Sequence, residues 1–321
     1  MYLIYVDDYG NTGDRLDDPD QPLFSLHASF VATQSGGWNY LEREIMEVMR
    51  EVQALARAYD LPPPERVHMV DLYQRKGKVY RQISIDQTFA WIERILEAMR
   101  HAEVLHRHII MDKPMIRAGQ AVRHSTGEYA NVHEQRTCQT KGPNFFPAPL
   151  YDATLPRLLW EIDLSLQELD AYGMVFLDQQ QGYESLEKLN VYRVLRHHGM
   201  LKRLLEAPIY RDGRFNTMLA VPDIAGFITV GLEADQLHVP PKRRPKLEEW
   251  HDEYVLPFGA PTTMPGWFQA TRESEFMTGM FDNFRKANDF HVIEAMDYLS
   301  FSILKAMPKT YKPPSENGGL S

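Results

Sequence analysis

The chain has 321 residues and a mass of 37.3 kDa, enough for one large α/β domain or a domain carrying sizeable insertions. Hydrophobic residues make up 44% and charged residues 25%, which excludes the apolar-poor composition of a disordered chain. A formal net charge of -9 and a pI of about 5.8 argue against retention on nucleic acid by bulk positive charge, while leaving room for a local cationic surface.

No stretch approaches the roughly 18 consecutive apolar residues of a membrane helix. The N-terminus has an acidic pair where a signal peptide carries basic residues and an apolar run, so the expected location is cytoplasmic, with no membrane partner. Cys138 is the single cysteine, which excludes an intrachain disulfide and a cysteine-based zinc site.

The chain opens MYLIYVDDYGNTGD, an apolar strand running into two aspartates and a glycine turn. LFSLHASFVAT at 23–33 reads as a second strand, and the short polar connection predicts an antiparallel hairpin. From Tyr40 to about Tyr59, Leu41, Ile45, Val48, Met49, Val52 and Leu55 recur at helical spacing, with Gly37 or Asn39 near the start. Pro62, Pro63 and Pro64 separate this helix from ERVHMVDLYQ, and a second helix is expected from Ser84 to His101.

VLHRHIIM at 104–111 predicts a strand on which His106 and His108 share a face, with no third zinc ligand evident. Residues 112–149 read as an irregular insertion. Helix resumes near Ala153, and YGMVFLD at 172–178 is a strand that again ends on aspartate. A helix or long turn is expected through Glu184–His198, then the short extended EAPIY. AVPDIAGFITVGLEA at 220–234 has a helical rhythm with Asp223 near its start. Residues 235–270 read as a proline- and charge-rich surface insertion. Within them Lys242, Arg243, Arg244 and Lys246 form either a phosphate-contacting loop or a solvated one. A final helix is expected over 289–307, followed by a frayed tail.

Asp7 and Asp178 both end apolar strands, so on neighbouring strands they emerge at one sheet edge, where open α/β folds place ligands. Asp223 can close the set. Carboxylates brought together repel unless a cation stands between them, and oxygen-only ligands favour Mg²⁺ or Mn²⁺ over zinc. Gly10 and Gly13 would let the chain turn sharply beside such a ligand. Each residue also has a plainer reading: Asp7 and Asp8 as the start of a turn, Asp178 as a cap for the next turn, Asp223 as a helix N-cap. Glu65 and His68 are three apart, which faces both the same way on a helix and not on a strand. No GxxxxGK[ST], HExxH or GxGxxG is present, and DDYGNT fails the D-x-D-x-Thr spacing of haloacid-dehalogenase-like phosphotransfer.

With YVDDYGNTG at 5–13, ERVHMVDL at 65–72, MVFLDQQ at 174–180 and APIYRDGRFNTMLAVPDIAGF at 207–227, the chain resembles domain-of-unknown-function family 3800. Members of that family look like ribonuclease H-fold proteins and open with D-E-S-G-N-T-G or a variant. The resemblance covers about residues 1–235. It implies a ribonuclease H-like α/β fold, a mixed sheet flanked by helices over 1–235, with 236–321 as a proline-rich loop and helical extension. It is similar in Glu65, His68 and Asp71 to the family's E-x-x-H segment with a following D-L, and it places later family aspartates on Asp178 and Asp223. The departures are Asp8 for glutamate, which shortens the reach by one methylene, Tyr9 for serine, and Val221-Pro222 where the family has its Ala-Asp approach.

The expected function is therefore Mg²⁺- or Mn²⁺-dependent phosphodiester hydrolysis, a nuclease acting on DNA or RNA. Asp7 would bridge two ions, Asp178 and Asp223 would complete separate shells, Asp8 or Glu65 would be the fourth carboxylate, and His68 would aid proton transfer. The rival readings are a noncatalytic nucleic-acid- or protein-interaction module with a degenerate acidic site, and phosphotransfer to or from a small metabolite.

Overall fold

The computed structural model describes residues 1–10, 15–19, 21–34, 36–127, 129, 132–146, 150–178, 192–193, 195–197, 199–233 and 243–255. Strands β1 (Tyr2–Tyr9), β2 (Leu23–Ala32), β3 (Leu105–Asp112), β4 (Gly173–Asp178) and β5 (Ile209–Arg211) form one mixed sheet in the order β3-β2-β1-β4-β5. The β1–β2 hairpin and the β2–β3 pair are antiparallel, whereas β1–β4 and β4–β5 are parallel. β1 is thus central, and β2 alone runs against the other strands.

Period-2 alternation divides the core into two layers. Ile4 and Val6 of β1, Phe24, Leu26, Ala28 and Phe30 of β2, and Val175 and Leu177 of β4 pack on one face against helix α7 (Leu150–Glu168). Leu3, Tyr5, Tyr9, Val31 and Phe176 point the other way, toward α1 (Gly37–Ala58), α4 (Ile85–His101) and α8 (Ala220–Glu233). Asp7 lies on this second face, under α8, because it is in step with Tyr5 and Tyr9.

Helix α1 buries Leu41, Ile45, Val48, Val52 and Ala56, a stripe at spacings of three and four. Helix α4 starts where Ser84 caps it, its hydroxyl accepting from the Gln87 N–H at 3.1 Å. Arg94 of α4 ties the two helices together, donating to Glu44 at 2.6 Å and Glu51 at 2.8 Å. The short helices α2 (Met69–Gln74) and α3 (Gly77–Arg81) lie between them in sequence.

Two expectations are corrected. The segment 112–149 is not irregular: α5 (Lys113–Thr126) and α6 (Val132–Lys141) occupy much of it. Residues 112–115 carry the β3 strand straight into α5, and in α6 only Cys138 is buried among the residues 135–141, too weak an apolar rhythm to read. The segment Arg243–Val255 is not a surface insertion either. α9 (Arg244–Trp250) and the turn His251–Val255 bury Leu247 and Trp250 completely, with Trp250 edge-on to Tyr73 and Phe89. Its cations are engaged by the protein: Lys246 pairs with Glu93 of α4 and with Glu249, Arg244 with Glu248 at 3.2 Å, and Arg243 donates to the Tyr73 carbonyl. Gly13, Lys242, most of 184–198 and the helix expected at 289–307 lie outside the described residues.

The end of β1 is held by Gly10. Its φ of +96° is a region that side chains rarely adopt, and a Cβ there would stand 2.4 Å from the Leu23 carbonyl oxygen. Gly10→Ala is therefore expected to destabilise the fold by about 2 kcal/mol or more, measured by chemical denaturation, because the hairpin backbone itself must move. On the other side of the sheet, Asp163 of α7 accepts the backbone N–H groups of Lys202, Arg203 and Leu204 at 2.7–3.1 Å, which anchors the chain leading into β5.

Candidate functional site

β1 and β4 are parallel neighbours, with Val6 paired to Leu177, so Asp7 and Asp178 follow side by side at the carboxyl end of the sheet. α8 lies across this face, and Asp223 in its first turn reaches the same place. All three carboxylates, with Asp8 and His68, line one open cavity of about 420 Å³. A second cavity of about 280 Å³ is lined by Asp7 and Asp223 as well, and by Glu65, Arg50 and Arg214. Arg66 lines both.

Each carboxylate is held differently. Asp7 accepts the Asp8 N–H at 2.9 Å. Asp178 accepts the Gly213 N–H at 3.0 Å on one oxygen and the Arg66 guanidinium at 2.8 Å on the other. Asp223 accepts the Met69 N–H at 2.7 Å, and His68 Nδ1 stands 3.5 Å from the same oxygen. Asp223 thus caps the start of α2 from another element rather than serving as the N-cap of its own helix.

The electrostatics single out Asp7. Loss of water around it, then the charges of Asp8, Asp223 and Asp178, hold its carboxyl well above the ordinary carboxylate range, with Arg66 opposing. Asp223 is also raised, first by burial, while His68, the Met69 N–H and Arg66 pull it back. Tyr9 turns its ring edge onto Phe227 of α8 and has the pKa of its hydroxyl raised by burial and by Asp223. Its bulk is absorbed in packing β1 to α8 as well as lining the cavity.

Glu65 and His68 do not share a helix face, because 65–68 is extended and bent and α2 begins only at Met69. Glu65 is exposed, stands 3.6 Å from Arg214 and lines only the second cavity, so Asp8 is the better placed fourth carboxylate. Asp71, in the first turn of α2, acts on Asp223 only through its charge. Among the described residues no three histidine, cysteine, aspartate or glutamate side chains are gathered tightly enough to hold a metal as they stand.

Two features were missed from sequence. Arg66, in the middle of E-R-V-H, is the cation bonded to a site carboxylate, Asp178. The other is His27, which joins the strand-face pair His106 and His108 to the site: pairing of Asp7 with His27 and of His27 with His108 sets these three in line across the sheet, on the face that α8 covers. His27 and His108 are stacked at 5.4 Å, and the Ser25 and Ser29 hydroxyls bond His27 and His106 at 2.8 and 3.0 Å. The alternation of Ser25, His27 and Ser29 was the signal for this row.

No family model matches the chain, and no curated protein and no solved structure is similar enough to count as a match. Among the described residues no helix is long and apolar enough to cross a membrane.

Proposed function

We propose that the protein is a divalent-metal-dependent phosphodiester hydrolase, a nuclease of ribonuclease H-like fold. The observation that carries this reading is Asp7, a desolvated carboxylate facing Asp8, Asp178 and Asp223 with one guanidinium among them. So concentrated a negative charge fits a hard cation, and the all-oxygen donor set fits Mg²⁺ or Mn²⁺. The central position of β1, with β2 alone running against the other strands, supports the ribonuclease H-like part, together with the resemblance at YVDDYGNTG and ERVHMVDL.

In this reading Asp7, Asp178 and Asp223 would hold the metal, with Asp8 beside them. Bound there, the metal supplies an activated water and stabilises the departing oxygen. His68, kept in place beside Asp223, lines the cavity and is suited to move a proton to or from that water or the leaving group. Asp223 accepts the Met69 N–H at the start of α2 and stands 3.5 Å from His68 Nδ1, so the proton carrier lies next to a metal ligand.

Nucleic acid is favoured over a small phosphorylated metabolite because the acidic cluster opens on both sides of Arg66 rather than closing into one pocket. Beside it stands Phe215, 86% exposed, carried on a turn braced by Asp212, whose carboxylate accepts the Arg214 N–H at 2.9 Å. The Arg214 guanidinium lies 5.6 Å from the Phe215 ring centroid and donates to both oxygens of Asp212, so what the rim offers is chiefly the π face of Phe215. Phe215→Ala is expected to weaken binding of a single-stranded oligonucleotide by about 5- to 100-fold by fluorescence anisotropy, the range of one lost base stack. Phe215→Trp should restore it.

The activity is tested by incubating single-stranded, duplex and hybrid substrates with Mg²⁺ or Mn²⁺, with a chelator control. Metal-dependent cleavage of at least one substrate is expected. Retention of an oligonucleotide unchanged by chelation, without turnover, would instead favour a noncatalytic binding module.

A further inference from the structure

The four carboxylates Asp7, Asp8, Asp178 and Asp223 share their cavity with the guanidinium of Arg66, and that guanidinium is neither remote nor free. Its Nη1 donates to Asp178 at 2.8 Å, and its charge acts on Asp7 and Asp223 as well. The other Asp178 oxygen is taken by the Gly213 N–H, so both oxygens of this carboxylate are already engaged.

Gly213 shows that this arrangement is built. Its φ is not in the left-handed region, so it is not glycine for backbone freedom. A Cβ at this position would stand 2.6 Å from Arg66 Nη1 and 3.2 Å from Asp178 Oδ1. The missing side chain is therefore the space in which the guanidinium meets Asp178.

We infer that Arg66 is the resident counter-cation of the acidic site, and that it must yield Asp178 when a divalent ion is loaded. This inference rests on the metal-dependent reading above. Arg66 would then set the metal affinity: the protein without metal is stabilised by the Arg66–Asp178 pair, and loading exchanges that pair for an ion. The same exchange explains why the carboxylates, placed on one cavity, are not gathered into a ready-made set of ligands as they stand. The arginine is a positioning residue, acting on the ion through Asp178.

The test is Mn²⁺ binding, followed by the electron paramagnetic resonance signal of free Mn²⁺, in wild type, Arg66→Gln, Arg66→Lys and Gly213→Ala. Arg66→Gln is expected to bind Mn²⁺ about tenfold or more tightly than wild type, because a competitor for Asp178 is removed. Arg66→Lys, which keeps the charge but loses the planar fork, should fall between the two. Gly213→Ala removes no carboxylate, and its Cβ crowds the guanidinium at 2.6 Å more severely than Asp178 at 3.2 Å, so it too should tighten binding. It carries the test if Arg66→Gln fails to fold.

Equal or weaker Mn²⁺ binding in both Arg66→Gln and Gly213→Ala, with wild type still binding the ion, overturns the inference and leaves the metal-dependent reading intact. Failure of wild type and both variants to bind at millimolar Mn²⁺ overturns both. Binding by the variants but not by wild type supports the inference in its strongest form.

Discussion

Asp7→Asn is expected to abolish Mn²⁺ binding and metal-dependent cleavage while making the metal-free protein more stable at neutral pH. Both effects have one cause. Asp7 is the carboxylate on which the charges of Asp8, Asp178 and Asp223 converge in a poorly solvated place, and its proton affinity is accordingly raised. At neutral pH the unfolded chain carries Asp7 fully ionised, whereas the folded protein holds its proton more tightly. The folded state then binds more protons than the unfolded one from about pH 4 up through the raised folded pKa, so stability falls as pH rises through that window. Asparagine keeps the shape, can still accept the Asp8 N–H and removes the charge. The melting temperature in chelator should therefore rise by several degrees at pH 7. A ligand bridging carboxylate matters more to metal affinity than the outer-shell partners whose loss costs 10- to 100-fold, so a loss above about 100-fold is expected by calorimetry. A variant that lowers the melting temperature in chelator and leaves metal affinity unchanged would mark Asp7 as a structural residue.

The second large effect is acid destabilisation through the histidine row. His27, His106 and His108 are buried between the sheet and α8, and loss of water lowers the proton affinity of all three, His106 to about 3 and His108 to about 4. Their neighbours add to this: the three rings oppose one another's charging, Arg107 bears on His106 and His108, and His251 bears on His108. Among the described residues the Nε2 atoms of His106 and His108 have no hydrogen-bond partner, so none of these residues receives an added proton. An unfolded histidine titrates near 6.5, so below that pH the unfolded state binds more protons than the folded one. Stability therefore falls as pH falls from about 6.5 toward the folded values of about 4 and 3, by up to about 1.4 kcal/mol per pH unit for each histidine.

The consequence reaches the site. A Cβ on Gly226 of α8 would stand 2.7 Å from the His27 ring, so the helix bearing Asp223 rests directly on the row. Urea denaturation at pH 7 and pH 5 in the Asp7→Asn background, which removes the largest opposing carboxylate effect, should show the loss. His106→Asn should reduce it by one histidine's share, leaving the contributions of His27 and His108. An unfolding free energy that does not change between these pH values would show the row to be hydrated rather than buried.

Much of this architecture was legible because it obeys simple periods. The apolar runs before Asp7 and Asp178 read as strands with acidic ends, and the stripes of α1 and α4, the latter starting at Ser84, were readable to within a few residues. Asp223 was legible as the start of a helix, but its bond to the Met69 N–H joins residues 154 positions apart and leaves no local trace. Arg66 was passed over for the same reason: its partner Asp178 is 112 residues away, and an arginine between Glu65 and Val67 has nothing to distinguish it from a solvated one. Trp250 was hidden by its neighbours, since the cations and carboxylates of RRPKLEEW satisfy one another on the outer face while Leu247 and Trp250 turn inward. Glu65 misled because a three-residue spacing faces one way only if the segment is helical, and Pro62–Pro64 keep the approach to His68 extended.

The central claim is that the carboxylates of Asp7, Asp178 and Asp223 meet around a divalent ion. Anomalous diffraction from a crystal soaked in Mn²⁺ tests it most directly. A manganese peak within bonding distance of Asp7 and at least one of Asp178 and Asp223 is predicted, with Arg66 turned away from Asp178. A map with no manganese at this cavity, and Arg66 still on Asp178 at saturating ion, would contradict it.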